Sequence, residues 1–289
     1  MPTYDACTLA NGLTLELLRA GGTGKTPILC IPGLTRNVRD FSDVVDAFSS
    51  PDREVIAVSL RGRSGSDRAE MTSYTPPTYR DDVLALLDAL GIDQAIFLGT
   101  SLGGITTMLT AEKAVERIKA AIINDVGPEL APEGIMRIID YMNARTEVPG
   151  ASADAQARVS FDQAIAAIRG INDVAFPGQD AAFWEVFARR TYREEEPGQW
   201  ALDFDPQISV ALTQAPPTPD LWPGFKALAA CPTLVIRGAI SDLLSPTIVE
   251  QMREARPGFE YCEVANVGHA PTLAEPEAVA AIAAFLDAL

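Results

Sequence analysis

FLGTSLGG, residues 97–104, is where an apolar run becomes a helix-like one. Gly99-Thr100-Ser101-Leu102-Gly103 fits G-x-S-x-G. It falls where QAIFLGT (94–100) gives way to SLGGITTMLTAEKAV (101–115), whose apolar residues recur at helical spacing. A strand that turns this sharply into a helix strains its central residue, and small residues on either side let the turn close against a sheet. The hydroxyl of Ser101 is then lifted above the sheet at the amino end of a helix, where backbone amides favour developing negative charge. A glycine-rich helix start with Ser101 as N-cap is the plainer alternative. The strand before and the helix after favour a nucleophile.

Outward from this turn the chain alternates. PILCIPG (27–33), EVIAVSL (54–60), AAIINDVG (120–127) and PTLVIRG (232–238) are short apolar runs ending in glycine or a polar cluster, as strands buried on both faces do. PTYRDDVLALLDALGI (77–92) has helical spacing, and FEYCEVAN (259–266) precedes a last helix in EPEAVAAIAAFLDAL. At the amino end, TYDACTLA and LTLELL meet at Asn11-Gly12, a dipeptide suited to a hairpin turn. Strand and helix alternate, so the predicted fold is α/β: a doubly wound, mostly parallel sheet with helices on both faces.

The alternation stops between Gly127 and Trp222. There PEGIMRIIDYMNAR, ADAQARVSFDQAIAAIRGI and DAAFWEVFARRTY read as three helices with no strand between them, and QAPPTPDLWPG (214–224) reads as a stiff connector. The expected organisation is a core of residues 1–127 and 223–289, with a helical cap and connector inserted at 128–222. Helices that merely thicken the core are the alternative.

Composition narrows the function classes. Of 289 residues, 47% are hydrophobic and 21% charged, a globular balance. The net charge of −16 repels phosphate backbones and anionic lipid, which weighs against nucleic-acid and membrane partners. No window is apolar for long enough to span a membrane, and the amino terminus lacks a basic segment followed by an apolar one, so a cytoplasmic protein is expected. Cys7, Cys30, Cys231 and Cys262 are widely spaced, and with one histidine in the chain no metal site is expected. RAGGTGKT (19–26) ends like a phosphate loop, but Arg19 stands where the pattern needs glycine and a strand follows where it needs a helix.

A serine hydroxyl needs a base, and the base an orienting acid. His269, in NVGHAP (266–271), follows the last strand-like run; Asp242, in LVIRGAISDLLSP, follows the run before it. Ser101, Asp242 and His269 stand in the chain order of a triad built on strand ends. Asp125 also lies at a strand end between Ser101 and His269, and is the rival acid.

Taken with IPGLTRN…RDF, LRGRSGSD, NDVGP, RGAISD and NVGHAP, the GTSLGG turn makes nearly the whole chain resemble a serine hydrolase of the α/β-hydrolase superfamily with a helical cap. The resemblance implies an oxyanion hole from the backbone amides of Leu34 and Leu102, and it favours Asp242 over Asp125, which is then a turn or hinge residue. Two departures stand out. Pro32-Gly33 replaces the His-Gly of many relatives. Ser59 replaces an aspartate in the loop after the fourth strand, to which no chemistry is assigned.

The expected activity is hydrolysis of a carboxylic ester or lactone of a small molecule through an acyl-enzyme, with no cofactor. Carbon–carbon hydrolysis of diketones and a non-catalytic receptor are the alternatives. Arg36 and Arg39 are candidates for a substrate carboxylate. Trp184, Phe187 and Tyr192 are candidates for an apolar pocket, with core packing as the alternative.

Overall fold

The computed structural model describes residues 1–146, 157–214 and 219–289. Its central sheet has eight strands in the order β1-β2-β4-β3-β5-β6-β9-β10. The hairpin of β1 (Thr3–Thr8) and β2 (Thr14–Ala20) joins antiparallel to β4 (Val55–Val58). The rest is parallel: β3 (Ile28–Ile31), β5 (Ala95–Thr100), β6 (Ile118–Asn124), β9 (Thr233–Gly238) and β10 (Glu260–Val264). At the hairpin, Gly12 takes φ 86° while the Asn11 carboxamide accepts from the Leu13 amide.

Side chains alternate between two apolar clusters, as the two-residue period of a strand requires. Leu29, Ile56, Phe97, Ile123 and Val235 face one side, where they meet α2 (Pro76–Ala89), α3 (Leu102–Ala114) and α9 (Pro246–Ala255). Cys30, Ala57, Leu98, Ile122 and Ile236 face the other, with α1 (Ser42–Phe48) and α10 (Pro276–Asp287). A parallel sheet needs this double cover, since each crossover returns the chain over one face.

β6 and β9 lie side by side, although more than a hundred residues separate them in the chain. Between them come α4 (Pro132–Thr146), α5 (Phe161–Asn172), α6 (Ala181–Thr191), a hairpin of β7 (Tyr192–Glu196) and β8 (Gln199–Leu202), α7 (Gln207–Gln214) and α8 (Trp222–Ala227). The three expected helices are α4, α5 and α6, and among the described residues no strand lies between them; the hairpin and the further helices that follow α6 were not expected. YREEE carries no apolar alternation because all but Tyr192 face outward, so only Pro197-Gly198, with Gly198 at φ 75°, marked a turn. α5 starts at Phe161 because Ser160 and Gln163 form a capping box. Of the expected connector, residues 215–218 lie outside the described residues, and from Trp222 the chain is helical.

Candidate active site

The backbone of Ser101 has φ 53° and ψ −114°, a conformation that costs a non-glycine residue about 1–3 kcal/mol. Its surroundings enforce it. The Ser101 amide donates to the Asn124 carbonyl across β5 and β6 at 2.9 Å. A side chain at Gly99 would collide with the Gly103 carbonyl, and one at Gly103 with the Ile31 carbonyl. Glycine at both positions lets α3 begin directly against the sheet with the serine at its amino end.

His269 reaches this serine from the loop after β10. Its Nε2 lies 2.9 Å from Ser101 Oγ and its Nδ1 2.8 Å from Asp125 Oδ2. With a carboxylate at Nδ1 the proton belongs there, leaving the Nε2 lone pair facing the serine hydroxyl. Asp125 is fully buried at the end of β6. It also accepts from the Gly238 amide at 2.8 Å and the Ser241 hydroxyl at 2.7 Å. Because Ser241 Oγ itself accepts from the Leu243 and Leu244 amides, its proton is left for Asp125.

The expected acid is therefore corrected: the carboxylate hydrogen-bonded to His269 is that of Asp125, not of Asp242. One residue decides it. Ser241 turns toward Asp125, and Asp242, its neighbour, accepts from Arg137 Nε and Nη2 of α4 at 2.5 and 2.9 Å. The Asp242 carbonyl accepts from the Gly134 amide and the Leu243 carbonyl from the Ala131 amide, so the start of α4 lies strapped to this loop. Hydrogen bonds from Arg137 hold the Asp242 carboxyl below its ordinary pKa against the opposing effect of burial, with lesser help from the charges of Arg137 and His269.

Two further residues frame the site without a clear signal in the sequence. Asn124 Nδ2 donates to Thr100 Oγ1 at 3.1 Å and to the Pro271 carbonyl at 2.9 Å, tying the residue before Ser101 to the loop that carries His269. Arg63, with no exposed surface, donates Nε and Nη2 to the Leu34 carbonyl at 2.9 and 2.7 Å. Both look like ordinary polar residues beside a strand, and only their burial distinguishes them.

The amides of Leu34 and Leu102, expected to face an oxyanion, donate to no protein acceptor among the described residues. Gly33 faces the nucleophile, since a side chain there would lie 3.7 Å from Ser101 Cβ. The departure at Ser59 has its own compensation: its hydroxyl donates to Glu16 Oε2 at 2.8 Å and accepts from the Val38 amide at 3.1 Å. A carboxylate from β2 thus stands where the loop itself lacks one.

Ser101 and His269 open on a cavity of about 170 Å³. Ile138, Met142, Ile168, Phe176 and Phe187 form its apolar wall, and Arg36, Arg137 and Arg190 its charged one. Arg36 is fixed in place: it donates to both Asp40 oxygens at 2.6 and 2.5 Å and to the Thr191 hydroxyl, and it stacks 4.5 Å over Phe187. Trp184 is corrected. It does not line the cavity, but packs edge-on against Phe183 at 5.1 Å and Phe176 at 6.5 Å, with 1% exposure. Tyr192 is also off the cavity lining, and Arg39 is held by Asp203 at 2.5 Å. The Gly24-Lys25-Thr26 segment is a loop in which Lys25 pairs with Asp52 at 2.9 Å. Among the described residues, no cluster of His, Cys, Asp and Glu could hold a metal ion, and no helix is long and apolar enough to cross a membrane.

The fold has relatives among known proteins. Residues 26–276 match the model of the alpha/beta hydrolase fold family. The crystal structure of an alpha/beta hydrolase from Novosphingobium aromaticivorans superimposes with a TM-score of 0.88 at 37% identity, covering 100% of this chain and 99% of that one. A 3-hydroxybutyrate-oligomer hydrolase of Cupriavidus necator is 30% identical over 96% of this chain and 94% of its own length. A 2-(acetamidomethylene)succinate hydrolase of Mesorhizobium japonicum is 26% identical over 96% and 92%. The chain belongs to the α/β-hydrolase fold family and is a hydrolase of that superfamily.

Proposed function

We propose that this hydrolase cleaves a carboxylic ester or lactone through an acyl-enzyme, with Ser101 as nucleophile, His269 as general base and then acid, and Asp125 as the orienting carboxylate. The continuous hydrogen-bonded chain from Ser101 through His269 to Asp125, opening on the cavity, carries this reading. As Ser101 Oγ attacks the carbonyl carbon, His269 Nε2 takes its proton and the carbonyl oxygen gains negative charge facing the Leu34 and Leu102 amides. When the tetrahedral intermediate collapses, the imidazolium returns the proton to the departing alkoxide. Water, deprotonated by the same nitrogen, then attacks the acyl-serine, and collapse releases the carboxylic acid and restores Ser101. Asp125 fixes the tautomer and stabilises the imidazolium that forms.

The small cavity favours a short acyl group. The likeness to a 3-hydroxybutyrate-oligomer hydrolase favours the ester of a short hydroxy acid. The insertion of residues 128–222 serves as a cap whose helices line the cavity and select among acyl groups. A fluorophosphonate probe is expected to add one label, on the Ser101 peptide, and Ser101→Ala to abolish it. Esters of increasing acyl length, lactones and vinylogous diketones then define the bond cleaved. Labelling that survives Ser101→Ala overturns the assignment, turnover of diketones alone moves it to carbon–carbon hydrolysis, and a folded protein that binds ligands without turnover is a receptor.

A further inference from the structure

The loop after β4 holds two buried arginines of opposite design. Arg61 gives Nε and Nη2 to both oxygens of Asp82 at 2.6 and 2.5 Å, a neutral buried pair. Arg63, two residues on and less exposed still, has no ion pair among the described residues. Its guanidinium donates twice to the Leu34 carbonyl and once, from Nη1 at 2.6 Å, to the Arg61 carbonyl, and it lies 4.7 Å over the Tyr79 ring and 5.9 Å from that of Tyr74. Ring faces and carbonyls compensate a desolvated cation only in part, and a neutral side chain could fill the space without that cost. Stability alone does not account for a buried cation held without an ion pair among the described residues.

We propose that Arg63 is a positioning residue for the oxyanion, an inference that rests on the serine-hydrolase reading above. Two N–H groups on one carbonyl anchor the Leu34–Thr35 peptide plane; the Leu34 amide lies in the preceding Gly33–Leu34 plane, so the anchor restricts its direction through the φ and ψ of Leu34. The buried cation, bonded to the carbonyl of the residue whose amide is proposed to face the oxyanion, also adds positive potential there. Substrate is neutral at the reacting carbonyl and the tetrahedral state is anionic there, so both effects act on the transition state rather than on substrate binding.

The test compares Arg63→Met and Arg63→Lys with the wild type for kcat, KM and affinity for a trifluoromethyl ketone, which forms a tetrahedral oxyanion adduct on the nucleophilic serine. Thermal melts followed by circular dichroism monitor folding. Arg63→Met is expected to lower kcat by about 10- to 100-fold, less than loss of a direct oxyanion donor, with KM changed by less than about threefold. Ketone affinity is expected to fall by the same factor as kcat/KM, and Arg63→Lys, which keeps the charge, to recover part of the loss. A folded Arg63→Met enzyme with full kcat overturns the proposal. So does a loss confined to KM with ketone affinity unchanged, which makes Arg63 a shaper of the cavity. Should Arg63→Met not fold, the proportional change in kcat/KM and ketone affinity is required of Arg63→Lys. Wild-type protein that neither hydrolyses esters nor binds the ketone sinks the serine-hydrolase reading itself; an active wild type with indifferent Arg63 variants sinks only this inference.

Discussion

Asp125 and Ser241 together decide which carboxylate serves His269. Asp125 adopts φ 57°, and its carboxylate is filled by a backbone amide, a hydroxyl and the imidazole. In the proposed mechanism Asp125→Asn removes the charge that would orient and support the imidazolium, so kcat/KM is expected to fall on the order of 10³- to 10⁴-fold. Asp242→Asn is expected to cost far less; equal losses in steady-state assays count against the assignment. Asn124→Leu, which removes both donors while roughly keeping shape, is expected to lower kcat and the rate of fluorophosphonate labelling about tenfold and leave KM in place. Ser101 and His269, which the structure brings within 2.9 Å of each other, could be picked out as candidates because a constrained turn and a lone imidazole leave few readings. Which carboxylate meets His269 was not legible, because Asp125 directly follows β6 and Asp242 lies in the loop after the adjacent β9, and a left-handed backbone at the first, together with a hydroxyl beside the second, makes the choice.

At the scale of elements, the insertion is fastened to the core where chemistry was expected. α4 carries Arg137 into the cavity wall and locks it onto Asp242, whose carboxyl this pair holds below its ordinary pKa. A carboxyl depressed in the folded state contributes stability fully above its unfolded value of about 4 and loses it as pH falls through the lower folded value. Melting of wild type is therefore expected to weaken on acidification below about pH 4 in a component that Asp242→Asn lacks, measured as Tm against pH. Trp184 belongs to the same element scale: Trp184→Ala is expected to destabilise by about 3–5 kcal/mol in denaturant unfolding, with relative preference among acyl groups little changed. The sheet could be read from its apolar runs because strands buried on both faces advertise themselves. The β7–β8 hairpin could not, since its first strand shows water four charged residues.

Across the whole molecule, the site exists only because the sheet order brings distant segments together. Ser101 directly follows β5, Asp125 directly follows β6, and the loop beyond β10 returns His269, with β9 supplying Gly238 to the Asp125 carboxylate. The mostly parallel, doubly covered sheet and the turn at Ser101 followed from alternation and glycine spacing, whereas the order of the strands is seen only in the structure. The buried braces, Asn124 and Arg63, depend on which loops meet above the sheet, and no local pattern encodes that. A single histidine in the chain makes the assembled site open to direct test. If His269 is the base, kcat/KM rises with pH along an acid limb as its imidazole loses a proton, since only the neutral ring can accept from Ser101. Any histidine resonance in the proton NMR spectrum belongs to this residue, so the midpoint of its titration is expected to coincide with the midpoint of that limb. His269→Gln is expected to remove the resonance and turnover together. A limb whose midpoint differs from that of the resonance, or a glutamine variant with near-native turnover, assigns the proton transfer to another group and leaves the imidazole a structural part.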